Sequence, residues 1–198
     1  MLVPLLMTVA GLLTSPAMWS ARPIHCHEDI ASEFSWHEHA VLAAFDQSIQ
    51  DYMDLHQRLA RARPPLTVTA DPAQLRDAID SLGQAIQLAR LSAQPGDIFT
   101  AAVARVLRRR IHRALWAFDM PVLISEIGED DEADTPTPVV NGPFPWSVDN
   151  AMWPSVLAAL PQLPEELEYR FAGTDLVLID IPANLVIDIL DGALTPCR

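Results

Sequence analysis

The placement of proline limits this chain more than any other feature, because a proline inside a helix removes a backbone donor and clashes with the preceding turn. Of the 17 prolines, several mark the edges of periodic segments. Pro64-Pro65 ends the first, Pro72 opens the second, and Pro95-Gly96 ends that one. Pro121 follows the third, Pro154 opens a short fourth segment, and Pro161 and Pro164 close it.

Between these breaks the apolar residues recur at helical spacing. Ser35-Trp36-His37-Glu38 has the form of a capping box and predicts a helix from about 36 to 62. Its stripe is Leu42, Phe45, Ile49, Tyr52 and Leu59, with His56 on the same face. Asp71-Pro72 predicts the next start, followed by Leu75, Ile79, Leu82, Ile86, Ala89 and Ala93. A third helix is expected from Asp97 to Thr100 onward, burying Phe99, Val103, Val106, Leu107, Ile111, Leu115 and Phe118. Asp119 and Pro121 recap a shorter helix to about Ile127. Short connections between amphipathic helices favour antiparallel neighbours. The expected fold is therefore mainly α: an antiparallel three-helix or four-helix bundle over 36–128.

A different pattern follows. Residues 129–138 (EDDEADTPTP) combine like charges with proline and lack periodicity, which predicts a solvated acidic linker. Residues 139–198 are expected to form a small C-terminal α+β unit packed on the bundle. In it Leu167, Tyr169 and Phe171 alternate with charged residues before Gly173-Thr174 and Leu176 to Ile179, which is a β-hairpin pattern. Ala183 to Leu190 reads as a short apolar helix or a further strand.

The amino terminus bears on location. Residues 1–21 form an apolar run with small residues near its end and read as a signal peptide cut after Ala17 or Ala21, although no Lys or Arg precedes the run. Prolines and a glycine within it argue against a stable membrane span. The expected location is the periplasm or the exterior, and there Cys26 and Cys197 are candidates for a disulfide. The net charge of −13 is uneven: residues 129–198 carry 2 Arg against 13 acids. Such a surface repels nucleic acid, whose phosphates require cations.

Candidate chemistry is sparse. His25, His27, His37 and His39 crowd the amino-terminal region, of which 22–35 is a His-rich segment, and could hold zinc or copper. His37 and His39 cannot ligate one ion from a helix, because residues two apart point in nearly opposite directions. His56 reads as a core or boundary histidine with one satisfied nitrogen, or as a proton sensor. The Arg105–Arg113 run could bind phosphate, or it could complement a helix end and the acids after Glu129. Phe144, Trp146, Met152 and Trp153 could receive a peptide or glycan, or seal the C-terminal unit. Asp175, Asp180 and Asp188 are pairs of the kind that 26 acids yield by chance. Gly-x-Ser-x-Gly is absent, and no named residue supports an enzyme.

The blocks Phe45-Asp46-Gln47-Ser48, Gly96-Asp97-Ile98-Phe99-Thr100, Phe144-Pro145-Trp146 and Leu167-Glu168-Tyr169-Arg170-Phe171 resemble those of a group of exported bacterial proteins with no known activity. That resemblance implies one evolved unit of helices and hairpin and transfers no site residue. The expected function is a non-enzymatic interaction or structural module with an unspecified protein or small-molecule partner. The alternative is a periplasmic ligand-binding or metal-binding protein.

Overall fold

A computed structural model describes residues 26–63, 71–116, 136–148 and 152–195. The signal peptide, His25, the segment around Pro121, most of the acidic linker and Cys197 lie outside them, so the expected cleavage and disulfide do too.

The described chain runs through α1 (Cys26–Arg61), α2 (Pro72–Ala89), α3 (Ala101–Ala114), a 3-10 turn at Trp146–Val148, α4 (Pro154–Ala159) and strands β1 (Leu167–Ala172), β2 (Asp175–Asp180) and β3 (Leu185–Leu190). This corrects the expected bundle. The protein is about half helical and carries a three-stranded antiparallel sheet in the order β1-β2-β3, and its four described helices do not make a clear bundle.

The physical reason lies in Ala183 to Leu190. Leu185–Leu190 pairs with β2 as a third strand, so the sheet presents a face broad enough for the helices to pack on. Leu167, Tyr169, Phe171, Leu176, Leu178, Leu185, Ile187 and Leu190 share one core cluster with Phe45, Ile86, Leu107 and Ile111 from the helices and with Phe99 from the segment before α3. The other sheet face is covered as well: Val177, Ile179 and Val186 pack with Phe144. A strand buried on both faces loses polar alternation and reads as a continuous apolar run. Without alternation, strand and helix look alike in sequence.

Helix α1 begins earlier than its capping box indicates, since Cys26–Arg61 is helical and Ser35 is interior. Its buried face is Val41, Phe45, Ile49, Tyr52, Met53 and His56, at steps of three and four residues. Glu38 meets Arg109 and Arg110, whereas Phe45 stacks on Phe99 with ring centroids 6.2 Å apart. Advancing along α1 thus means retreating along α3, and the two helices are antiparallel. Helix α2 starts as expected, with the Asp71 carboxylate accepting from the Ala73 amide at 2.9 Å and Pro72 in the first turn. It ends at Ala89, before the expected stripe does. There Asn141, in a left-handed conformation at φ 64°, donates its side-chain amide to the carbonyls of Gln87 and Arg90 at 3.1 Å each. Each of these carbonyls also accepts a backbone amide, Gln87 from Arg90 at 3.2 Å and Arg90 from Ala93 at 2.9 Å, so the Asn141 side chain ties a helix end that is already capped.

The sheet register sets the side-chain directions. Leu178 pairs with Asp188 but Ile179 pairs with Val186, which leaves Ile187 as the extra residue of a bulge. Before the bulge the helix-facing residues of β3 are Leu185 and Ile187; after it they are Asp188 and Leu190, across from Leu178 and Leu176. Bulges re-aim side chains in this way. Here the bulge turns a carboxylate into the core.

Candidate functional site

Three polar side chains lie fully in the interior: His56, Asp180 and Asp188 are buried among the described residues. Asp180 ends β2 on the helix-facing side, opposite α1. One of its oxygens accepts from the Tyr52 hydroxyl at 2.6 Å and from His56 Nδ1 at 2.5 Å. The other accepts from the Ala183 amide at 2.9 Å and so pins the turn between β2 and β3. The spacing of Tyr52 and His56 is what lets them share one oxygen, since residues four apart stack on one helix face.

These bonds explain the titration behaviour of the cluster. The hydrogen bond that His56 donates to Asp180, together with the Asp180 charge, raises the His56 pKa against the opposing effect of burial, and Glu166 adds a smaller push upward. The Tyr52 hydroxyl is pushed well above the ordinary phenol range, first by burial and then by Asp180. The Arg90 guanidinium sits over the Tyr52 ring, 5.3 Å from its centroid, and donates to the Ile187 carbonyl at 3.1 Å. The arrangement resembles the base and orienting acid of a triad, but Tyr52 stays protonated and binds the acid. Among the described residues no nucleophile is positioned on the base.

Asp188 is occupied in a different way. Its carboxylate accepts from the amides of Gly96 at 2.8 Å, Ile98 at 2.7 Å and Phe99 at 2.6 Å, and from its own neighbour Ile189 at 2.8 Å. The segment between α2 and α3 wraps around this one side chain, and Gly96 adopts φ 91° to do so. The block Gly96-Asp97-Ile98-Phe99-Thr100 is thus a clasp on β3 and leads directly into α3, where the Thr100 hydroxyl accepts from the Val103 amide.

The open surface of the molecule offers two adjoining hollows. One, of about 630 Å³, lies between α1 and the segment after α4, and is lined by His39, Leu42, Asp46, Gln50, Arg110 and Gln162 among others. The second, of about 520 Å³, shares Pro161 and Gln162 with it and reaches Tyr169 and Leu157. The Tyr169 hydroxyl is buried without a hydrogen-bond partner among the described residues, and its pKa is raised by burial and by the Asp46 carboxylate. Neither His56, Asp180 nor Asp188 lines either hollow.

The remaining expected site residues are dispersed. His27 lies on α1, in a helical segment where an extended one would have set it beside His25. His37 and His39 are exposed on α1. Among the described residues no group of three or more His, Cys, Asp or Glu is disposed to hold a metal ion. Within the arginine run, Arg109 and Arg110 bind the Glu38 carboxylate at 2.7 and 2.8 Å. Burial raises the Glu38 pKa, but the hydrogen bonds and charges of Arg110 and Arg109 outweigh it and hold the carboxyl below its ordinary range. Arg108 and His112 instead reach the carbonyls of Asp191 and Ala193.

The aromatic region divides between two roles. Phe144 is buried against the far face of the sheet, and Trp153 tilts onto Phe171 at 5.5 Å. Trp146 stays half exposed, edge-on to Phe144 at 5.1 Å, with Arg170 over its face at 5.9 Å and its indole N–H donating to Asn184 at 2.9 Å.

Sequence reasoning set Asp180 and Asp188 aside as chance acids. The signal that distinguishes them is an aspartate interrupting an apolar strand, in Leu176-Val177-Leu178-Ile179-Asp180 and Leu185-Val186-Ile187-Asp188-Ile189-Leu190. A buried carboxylate requires partners, so each implies donors elsewhere. Among the described residues no helix is long and apolar enough to cross a membrane. No protein-family model, curated protein or solved structure matches the chain, and the likeness of the four short blocks gains no support from these comparisons.

Proposed function

We propose that this chain is a non-enzymatic interaction module that works in the periplasm or outside the cell. The observation that carries this reading is the fate of the buried ionisable groups. Asp180, His56 and Tyr52 bind one another and the turn at Ala183, and Asp188 is saturated by loop amides. Neither cluster opens onto a described hollow. Catalytic acids and bases must reach a reacting proton within hydrogen-bond distance. These groups hold elements together instead, while Trp146 faces outward on a rigid mount of Phe144, Arg170 and Asn184. A fixed aromatic loses little side-chain entropy on binding.

The test is native purification from the exported fraction, with bound metals and macromolecules identified. A stoichiometric partner retained by the wild type and lost by a Trp146→Ala variant of unchanged circular dichroism is the expected result. Turnover of ester, peptide or glycoside substrates that disappears in His56→Gln would contradict the reading.

A second reading, binding of an organic ligand in the adjoining hollows beside α1 and α4, draws support from volumes within the usual range of ligand sites and from the Tyr169 side chain that lines the second of them. Zinc or copper binding has no comparable observation behind it among the described residues.

A further inference from the structure

The His56–Asp180 contact joins three parts of the fold. His56 and Tyr52 come from the middle of α1, Asp180 from the end of β2, and the second carboxylate oxygen holds Ala183 in the following turn. That turn packs tightly on α2, since a side chain at Gly83 would come within 2.6 Å of the Ala183 carbonyl. The next residue, Asn184, sits at φ 47° and closes the turn with its amide on the Ile181 carbonyl. Its side-chain oxygen accepts the Trp146 indole N–H at 2.9 Å. An unbroken chain of hydrogen bonds and backbone therefore runs from a buried histidine to a half-exposed tryptophan.

We propose that the His56–Asp180 pair is a proton-operated latch that seats the Ile181–Asn184 turn and, through Asn184, sets the position of Trp146. With His56 protonated, the buried carboxylate faces a full positive charge in a setting that excludes water, where an ion pair is strong and an unmatched charge costly. With His56 neutral, the same carboxylate keeps only neutral donors from His56, Tyr52 and Ala183. The other charged groups facing the pair are Arg90 at the end of α2, which lies over Tyr52, and Glu166 ahead of β1, which favours the protonated imidazole. Arg63 follows the end of α1, seven residues beyond His56, its guanidinium partly buried. Arg90 keeps its bond to Ile187 in either state, so the histidine is the member of the set whose charge changes near neutral pH.

The sign follows from the raised His56 pKa. The folded protein holds the proton more tightly than the unfolded chain, so the stabilisation is complete below the unfolded value and fades as pH rises through the folded one. The latch is closed in acid and loosened in base. It bears on the surface named in the interaction-module reading and rests on that reading for its purpose, but the titration needs no partner.

The experiment records urea unfolding of the full chain from about pH 5 to pH 9, a range that spans imidazole titration. Heteronuclear NMR follows the His56 ring and the Trp146 indole N–H, the latter assigned from Trp146→Phe. The wild-type unfolding midpoint is expected to fall with rising pH, and the indole signal to move with the same titration midpoint as the His56 ring. His56→Gln should flatten both curves. Tyr52→Phe, which frees one oxygen of Asp180 from a competing donor, should shift the His56 titration upward. An indole signal that stays fixed while His56 titrates, or a His56→Gln variant that keeps the wild-type pH dependence, overturns the proposal. If His56→Gln fails to fold, the wild-type indole titration decides alone. Loss of a partner without loss of the titration would count against the module and leave the latch standing.

Discussion

Asp188 accepts four backbone amides with one buried carboxylate. Its two oxygens satisfy three amides of the segment between α2 and α3, so deleting it strands donors that water cannot easily reach. Hydrogen bonds to a charged group contribute more than neutral ones, and buried unpaired donors are costly. Asp188→Ala should lower stability by on the order of 3 kcal/mol in urea unfolding, and Asp188→Asn by roughly half as much, because one amide then meets a donor. Equal stability of Asp188→Ala and wild type would show that the clasp is ornamental. Gly83 is the second test at this scale. A methyl there meets backbone and not a movable side chain, so Gly83→Ala should cost about 2 kcal/mol despite its higher helix propensity. A neutral or stabilising effect would mean that α2 and the Ala183 turn are not in contact.

Elements divide into those that a local pattern specifies and those that depend on partners. The start of α2 was legible because Asp71-Pro72 carries its own cap, whereas the start of α3, capped by Thr100, was legible only to within Asp97 to Thr100. The start of α1 was misread: a capping-box pattern at Ser35 lies inside a longer helix. The pattern can occur wherever a hydroxyl precedes a glutamate by three, and here Glu38 answers Arg109 and Arg110 across the helix interface instead. A paired substitution separates these cases. Thr100→Ala should destabilise by about 1 kcal/mol or less, its hydrogen bond being long at 3.4 Å. Ser35→Ala, at an interior position, should stay within about 0.5 kcal/mol of wild type. Equal losses at both positions would restore the cap to Ser35. β3 escaped the sequence because a strand buried on both faces has no alternation, and its bulge breaks what periodicity remains. Asp180 and Asp188 were missed for a related reason: apart from the Ala183 and Ile189 amides, their donors lie 89 to 128 residues away in the chain, beyond any local window.

For the whole molecule, the shared core of helices and sheet makes a specific claim about cooperativity. Phe45 and Ile86 from the helices and Tyr169, Phe171 and Leu178 from the sheet belong to one buried cluster. The second, smaller cluster lies on the opposite face of the same strands and shares their backbone. The two buried carboxylates are the polar ties across this core, from β2 to α1 and from β3 to the approach of α3. Their consequence for function is indirect. A frame that uses its interior ionisable groups as ties leaves recognition to surface features such as Trp146 and the hollow beside α1.

Amide hydrogen exchange at Ile98, Phe99 and Ala183 tests that central claim most directly. All three amides lie outside helices and strands, yet each donates to a buried carboxylate. If Asp180 and Asp188 are the ties of a single core, these amides open only with the whole protein, and their protection equals that of the β1–β2 ladder. Exchange at the rate of an ordinary exposed loop, with the ladder still protected, would contradict the account.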